Sequence, residues 1–296
     1  MRLECKIAGV CAGLLLSLSS LADPLPQRWI SAGGAASEWI VALGGEERLV
    51  GVDSTSQHPA SVTALPSVGY QRQLSAEGIL ALEPDLMLGT EEMGPPPVLS
   101  QLASAGVRVE QLSAASNLTA LADNLTRLGV LLGKPQTART ALAGFQARID
   151  QLQTGIRRAQ VGREAPQVLL LVGQGGSTPL IAGRNTVGDW MLEQAGARNL
   201  ASHEGYRTLS SEALAAMDPD WLVISDRQLR GVEAQQAVQR QNPSLADSRV
   251  VREGHLLTID PTLLVGGLGP RLPETLEQLA QRFYPGLSAL MAEASP

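Results

Sequence analysis

Leu74-Ser-Ala-Glu77-Gly-Ile-Leu-Ala-Leu-Glu-Pro84-Asp85-Leu-Met-Leu88 returns in the second half of the chain as Leu209-Ser-Ser-Glu212-Ala-Leu-Ala-Ala-Met-Asp-Pro219-Asp220-Trp-Leu-Val223. Each copy predicts a short helix with Ser75 or Ser210 at its N-cap, stopped before a proline and followed by a buried apolar strand. An αβ unit used twice predicts two similar lobes. Duplicated α/β lobes leave a cleft between them, where small ligands usually sit.

The order of elements around the copies is also duplicated. Trp29-Ile30-Ser31 predicts a strand, Gly33-Gly34 a turn, Ala35 to Leu43 a helix ended by Gly44-Gly45, and Leu49 to Val52 a second strand. A Ser-, Pro- and Thr-rich loop from Asp53 to Tyr70 precedes the first copy, and Val107 to Val109 closes the first lobe as a strand. In the second lobe, Val168 to Val172 predicts a strand, Gly173 to Gly176 a turn and Val187 to Ala195 a helix. The second copy follows, then a strand at Leu256 to Ile259 and a helix from Pro273 to Arg282. Trp39 and Trp190 hold similar places in the two lobes. Between the lobes, Leu118, Leu121, Leu125, Leu128 and Leu132 recur at helical spacing. Pro135 then opens a second helix whose apolar face carries Ala138, Leu142, Phe145, Ile149 and Leu152. At about 1.5 Å per residue, a helix of this length bridges two lobes as a stiff connector.

At the N-terminus, Arg2 and Lys6 flank the start of an apolar run from Ile7 to Leu18, and Ser20-Leu21-Ala22 supplies small residues for cleavage. This pattern predicts a secretory signal, too short to remain as a membrane span. Both cysteines, Cys5 and Cys11, lie inside it, so the predicted mature chain forms no disulfide or thiolate site. Val10 before Cys11 does not suit a lipidation signal. The expected organisation is a signal peptide over 1–22, an α/β lobe over 23–116, a helical connector over 117–160 and a second α/β lobe over 161–296. The whole chain carries 23 basic and 29 acidic residues; setting aside Arg2, Lys6 and Glu4 leaves 21 and 28. That balance argues against nucleic acid as a partner.

Leu43-Gly44 with Leu49-Val-Gly-Val-Asp53, Leu65-Pro66-Ser67-Val68-Gly69, the two repeat copies and the helix over 136–159 carry a family resemblance. The chain resembles the periplasmic substrate-binding proteins that feed vitamin B12, siderophore and haem ABC importers. The resemblance implies the class III binding-protein fold: two Rossmann-like lobes joined by one long helix, with the ligand cleft between them. Gly69-Tyr70-Gln71-Arg72 is similar to the haem-binding branch, in which the tyrosine of a Tyr-x-Arg motif coordinates iron. Leu263-Leu-Val-Gly-Gly-Leu-Gly-Pro-Arg271 also has a counterpart there. The resemblance therefore implies Tyr70 as the haem-iron ligand and haem as a transported ligand rather than a catalytic cofactor. It further implies a periplasmic monomer served by an inner-membrane permease homodimer with its ATPase, and an outer-membrane haem receptor upstream.

The residue types fit that chemistry. Ferric iron is hard and prefers an anionic oxygen, which a phenolate supplies. A free tyrosine titrates near 10, so the iron and a donor such as Arg72 must favour the ionised form. Where some members place a histidine opposite the tyrosine, this chain has Gln174, a poor iron ligand, so Tyr70 is expected to be the sole strong protein ligand of a single haem. Tyr206, just before the second copy, is the pseudo-symmetric partner, expected to pack against the porphyrin, to bond across the cleft or to cover a helix start. Arginine forks fit propionates, and the candidates are Arg72, Arg184, Arg207, Arg227, Arg230 and Arg271. His58, His203 and His255 are weaker alternatives as iron ligands.

Glu77 and Glu212 fall in the first turns of the repeated helices, where the dipole favours a carboxylate. The resemblance adds a second reading: matched acidic residues on each lobe dock arginines of a two-fold permease. Catalysis has no support. Gly173-Gln-Gly-Gly-Ser-Thr178 lacks the third glycine and the acidic residue of a dinucleotide fold, and no nucleophile elbow, phosphate loop or metalloprotease motif is present. A siderophore or cobalamin carrier of the same fold is the alternative, although nine aromatics are few for a siderophore cleft.

Overall fold

The computed structural model describes residues 25–173, 180–226 and 248–292, with five positions (232, 233, 236, 237 and 240) between the last two stretches. The expected signal peptide over 1–22, Gln174, Arg227 and Arg230 lie outside these residues.

The first lobe is built on β1 (Trp29–Ala32), β2 (Leu49–Val52), β3 (Leu86–Thr90) and β4 (Arg108–Leu112), all parallel in the order β2-β1-β3-β4. β1 and β3 are buried at every position. Strands covered on both faces read as continuous apolar runs rather than alternations, as Leu86-Met-Leu does. Helices α1 (Gly34–Ala42), α2 (Ala76–Leu80) and α3 (Pro96–Ser104) make the crossovers. α4 (Leu118–Leu132) and the 25-residue α5 (Pro135–Ala159) then lead to the second lobe.

The second sheet is less regular. β5 (Gln167–Val172), β9 (Trp221–Ser225) and β10 (Leu256–Ile259) are parallel, but β6 (Leu180–Ala182) runs antiparallel to β5 and carries β8 (Tyr206–Thr208) antiparallel at the sheet edge. The two-residue β7 (Arg198–Asn199) also pairs with β5. Helices α6 (Val187–Gln194) and α7 (Ser211–Ala216) belong to this lobe, as does the helix Leu272–Phe283. The antiparallel edge was not expected from the duplicated order, which listed no strand between Ala195 and the second copy.

The repeat folds twice into the same local shape. Glu83 and Asp218, each just before the proline, take left-handed φ values of 49° and 37°. Asp85 then accepts the amides of Gln27 (2.6 Å) and Arg28 (2.9 Å) at the start of β1. Asp220 accepts the amide of Gln167 at the start of β5 (2.7 Å). The Pro-Asp pair in each copy therefore hooks the entrance of its lobe's first strand. The N-caps differ: Ser210 accepts the Ala213 amide at 3.2 Å, whereas the Ser75 side chain makes no cap bond.

One apolar cluster runs through both lobes and the connector, including Trp29, Leu88, Leu125, Phe145, Leu152, Leu170, Trp190 and Leu276. The opposite face of each sheet has a smaller cluster of its own. At the centre, Phe145 of α5 lies between Trp39 of α1 and Trp190 of α6, with ring centroids 6.1 and 6.4 Å away. The matched tryptophans thus close on one residue of the connecting helix, and a shared close-packed core resists relative motion of the lobes.

A second joint is polar. The segment after β10 crosses to the first lobe, where Ala35 donates to the Val265 carbonyl (3.3 Å) and Trp39 Nε1 to that of Leu268 (2.8 Å). Arg271 donates to Glu38 Oε1 (2.7 Å), Asp260 Oδ2 (3.2 Å) and Thr262 Oγ1 (2.6 Å), while His58 Nε2 lies 2.7 Å from Asp260 Oδ2.

Candidate functional site

Open α/β sheets bind ligands beyond the C-terminal ends of their parallel strands. Here Gly33, Asp53, Glu91 and Glu92 follow β1, β2 and β3, while Gly173, Asp226 and Asp260 follow β5, β9 and β10. These ends face one another: Gly33 and Gly266 approach backbone to backbone, and His58 meets Asp260. The floor is set by Asp53, whose buried carboxylate accepts the Gly33 amide (2.9 Å), the Thr55 amide and hydroxyl, and the Ser56 hydroxyl. Gly33 has φ 117°, which a side chain would strain, and an added Cβ would stand 3.0 Å from Gln71 Oε1.

The tyrosine loop is pinned along β2. Val52 donates to the Pro66 carbonyl (3.0 Å), Val68 to that of Val52 (2.9 Å) and Ser54 to that of Gly69 (2.8 Å). A turn follows, with Gln73 donating to the Tyr70 carbonyl (2.8 Å). Exposure alternates through it. Tyr70 is half-buried, Gln71 is 1% exposed, and the Arg72 side chain is 53% exposed. Gln71 Oε1 is buried without a hydrogen-bond partner. Gln71 thus roots the loop while its neighbours turn outward.

Arg72 donates to Glu92 Oε1 at 2.5 Å, so its guanidinium is already paired with a carboxylate that follows β3. In the second lobe Tyr206 stands 39% exposed on β8, near Thr186 and Gly188 at the start of α6. Burial pushes this phenol up to about 12, beyond what hydrogen bonding from Thr186 offsets, and the charges of Glu92 and Arg72 both reach it. The Tyr206 phenol is therefore harder to ionise than an ordinary tyrosine, and the charges that reach it are those of the first lobe's Arg72 and Glu92.

The other sequence candidates separate. Arg271 lies in the joint between lobes, where its guanidinium pairs with Glu38 and Asp260. Sequence shows the charge but not the partner it finds. Alternation along β8 puts the exposed Arg207 on the opposite face from Tyr206. Arg184 lines a pocket of the second lobe with Asp189, Glu193 and Arg198. The histidines have other contacts: His58 with Asp260, His203 Nε2 with the Ile181 carbonyl (3.2 Å), and His255 stacked on Trp221 at 4.0 Å. Glu77 and Glu212 are both exposed on the repeated helices. Its own amide and the Ser210 hydroxyl hold the Glu212 carboxyl below the usual range. Sequence reasoning missed Glu92, Gln71 and the Asp260 joint. Only the repeated Pro-Asp offered a signal, for the strand hooks. Among the described residues, no group of three or more His, Cys, Asp or Glu is arranged to hold a metal ion, and no helix is long and apolar enough to cross a membrane.

The periplasmic binding protein family model matches residues 30–263. The chain belongs to the periplasmic binding protein family. A solved periplasmic haem-binding protein from Pseudomonas aeruginosa is 60% identical, with a TM-score of 0.87 over 88% of this chain and 94% of that one. The haem-binding protein HutB of Vibrio cholerae is 34% identical, with a TM-score of 0.77 over 88% and 99%. A vitamin B12-binding protein of Pectobacterium atrosepticum is 30% identical over 72% of this chain and 75% of its own length. The fold of this family member is that of a class III binding protein, two α/β lobes around a connecting helix.

Proposed function

We propose that this periplasmic binding protein captures ferric haem in the inter-lobe cleft through a Tyr70 phenolate and delivers it to an inner-membrane ABC permease, acting as a carrier and not an enzyme. The observation that carries the haem reading is the 60% identity with a haem-binding protein along nearly its whole length. The site supports the choice of ligand atom. Tyr70 stands on a rooted loop at the cleft with Arg72 beside it, whereas the Tyr206 phenol is pushed up to about 12 and the three histidines are engaged elsewhere. One strong oxygen ligand stabilises ferric iron. Arg227 is a proposed propionate partner, with Tyr206 and Gln174 beside the porphyrin, whereas Arg207 lies on the other face of β8 from Tyr206. The exposed Glu77 and Glu212, one on each lobe, suit docking to a two-fold permease. The relative named as an ABC transporter substrate-binding lipoprotein in Bacillus subtilis supports such a partner. Export by a cleaved signal over residues 1–22, the lobe boundaries and a monomeric state belong to the same proposal.

Titration of the mature protein with haemin tests it. A Soret shift that is lost in Tyr70→Phe is expected, and its absence in the parent removes the haem assignment. Cobalamin is the second reading, favoured by the vitamin B12-binding relatives, and saturable binding of cyanocobalamin without haemin binding would install it.

A further inference from the structure

Two turns at the rim of the first lobe are stapled together. Gly94 donates to the Gln71 carbonyl (2.9 Å) and Leu74 to the Gly94 carbonyl (2.9 Å), tying the turn after β3 to the tyrosine turn. The turn after β3 is itself fixed: Met93 donates to the Thr90 carbonyl (2.9 Å), the Glu92 amide lies 3.4 Å from Thr90 Oγ1, and Glu91 accepts the Ala114 amide through both oxygens. Glu92 is therefore presented to Arg72 by a rigid backbone, and Arg72 spends one guanidinium nitrogen on it.

We propose that Glu92 is a positioning residue for the ligand site: its carboxylate holds the Arg72 guanidinium beside the tyrosine loop and neutralises it, so that Arg72 serves Tyr70 rather than a ligand carboxylate. The inference rests on the haem reading. A guanidinium has five donors in a planar fork, so one bond to Glu92 fixes its plane and leaves N–H groups for a phenolate oxygen. A free arginine would attract an anionic ligand group from a distance, but the neutral pair acts only at hydrogen-bond range. Exposed ion pairs contribute little to stability, so holding the fold together is not an adequate role for it.

The test compares wild type, Arg72→Ala, Glu92→Ala and the double variant, each titrated with haemin and with haemin dimethyl ester, whose propionates carry no charge. Each single variant should weaken haemin binding about tenfold, and the double variant should be no weaker than either, because both remove one unit. Both should shift the phenolate-to-iron absorption alike and leave the melting temperature unchanged. The losses should persist with the ester. Unaltered binding by Glu92→Ala, additive losses, or losses that vanish with the ester each overturn the inference. A parent protein with no Tyr70-dependent haemin spectrum would instead mean that the haem reading has failed, and the role of Glu92 falls with it.

Discussion

Each lobe carries a Gly-Tyr ahead of the repeated αβ unit, and the surrounding structure gives the two tyrosines different tasks. In the first lobe Gly69-Tyr70 lies on a loop strung along β2, rooted by Gln71 and flanked by an arginine held by Glu92. In the second, Gly205-Tyr206 opens an edge strand, and the phenol is pushed up to about 12, harder to ionise than usual. A duplicated sequence can reproduce local shape faithfully, as the paired Pro-Asp hooks show, while tertiary partners divide the chemistry.

The largest expected effect lies in the residue that both lobes share. Phe145→Ala opens the stack between Trp39 and Trp190 and should cost about 3–5 kcal/mol of stability, read from urea unfolding as one transition moved to lower denaturant. Two separate transitions of unchanged midpoint would show instead that the lobes fold independently. Tyr70→Phe should weaken haemin binding by more than the roughly 10–100-fold that changes around a metal ligand cost, while Tyr206→Phe changes it less than about tenfold. Equal losses would make the lobes equivalent.

The polar joint gives a pH dependence. Burial alone would raise the Asp260 carboxyl, but the Thr262 amide and hydroxyl, His58 and the Arg271 charge outweigh it and hold the group at about 2. A folded value below the unfolded one means that the stabilisation is present above about pH 4 and is lost as pH falls toward 2. The contribution is about 2 kcal/mol. Asp260→Asn should flatten the fall in stability between pH 4 and pH 2, and a profile parallel to the parent's would argue against the joint. The smallest contrast concerns the caps: Ser210→Ala should cost about 1 kcal/mol and Ser75→Ala only a few tenths, measured by chemical denaturation. Equal costs would restore the symmetry of the two caps.

Much of the fold was legible because its signals are local. Apolar runs, prolines and capping residues located β2 and β10 to the residue and α5 to within its first turn. The leucine spacing and Pro135 marked the helical connector. The antiparallel β6 and β8 were missed because three-residue strands carry too few side chains to show a period. The site was legible only in its residue types. Tyr70 and Arg72 are neighbours in sequence and could be read together, but Glu92 comes from the turn after β3. Arg271 shows its charge in the sequence, but its buried partner Glu38 comes from the opposite lobe.

By itself the sequence determined two αβ lobes, a stiff helix between them and a phenol placed ahead of the first repeat, because periodicity and caps act over a few residues. Only the tertiary structure decided which charges find partners, that Tyr206 is hard to ionise and how the lobes are locked. Those outcomes depend on burial and on partners brought together from distant parts of the chain, and such pairings leave no pattern in any one stretch of sequence.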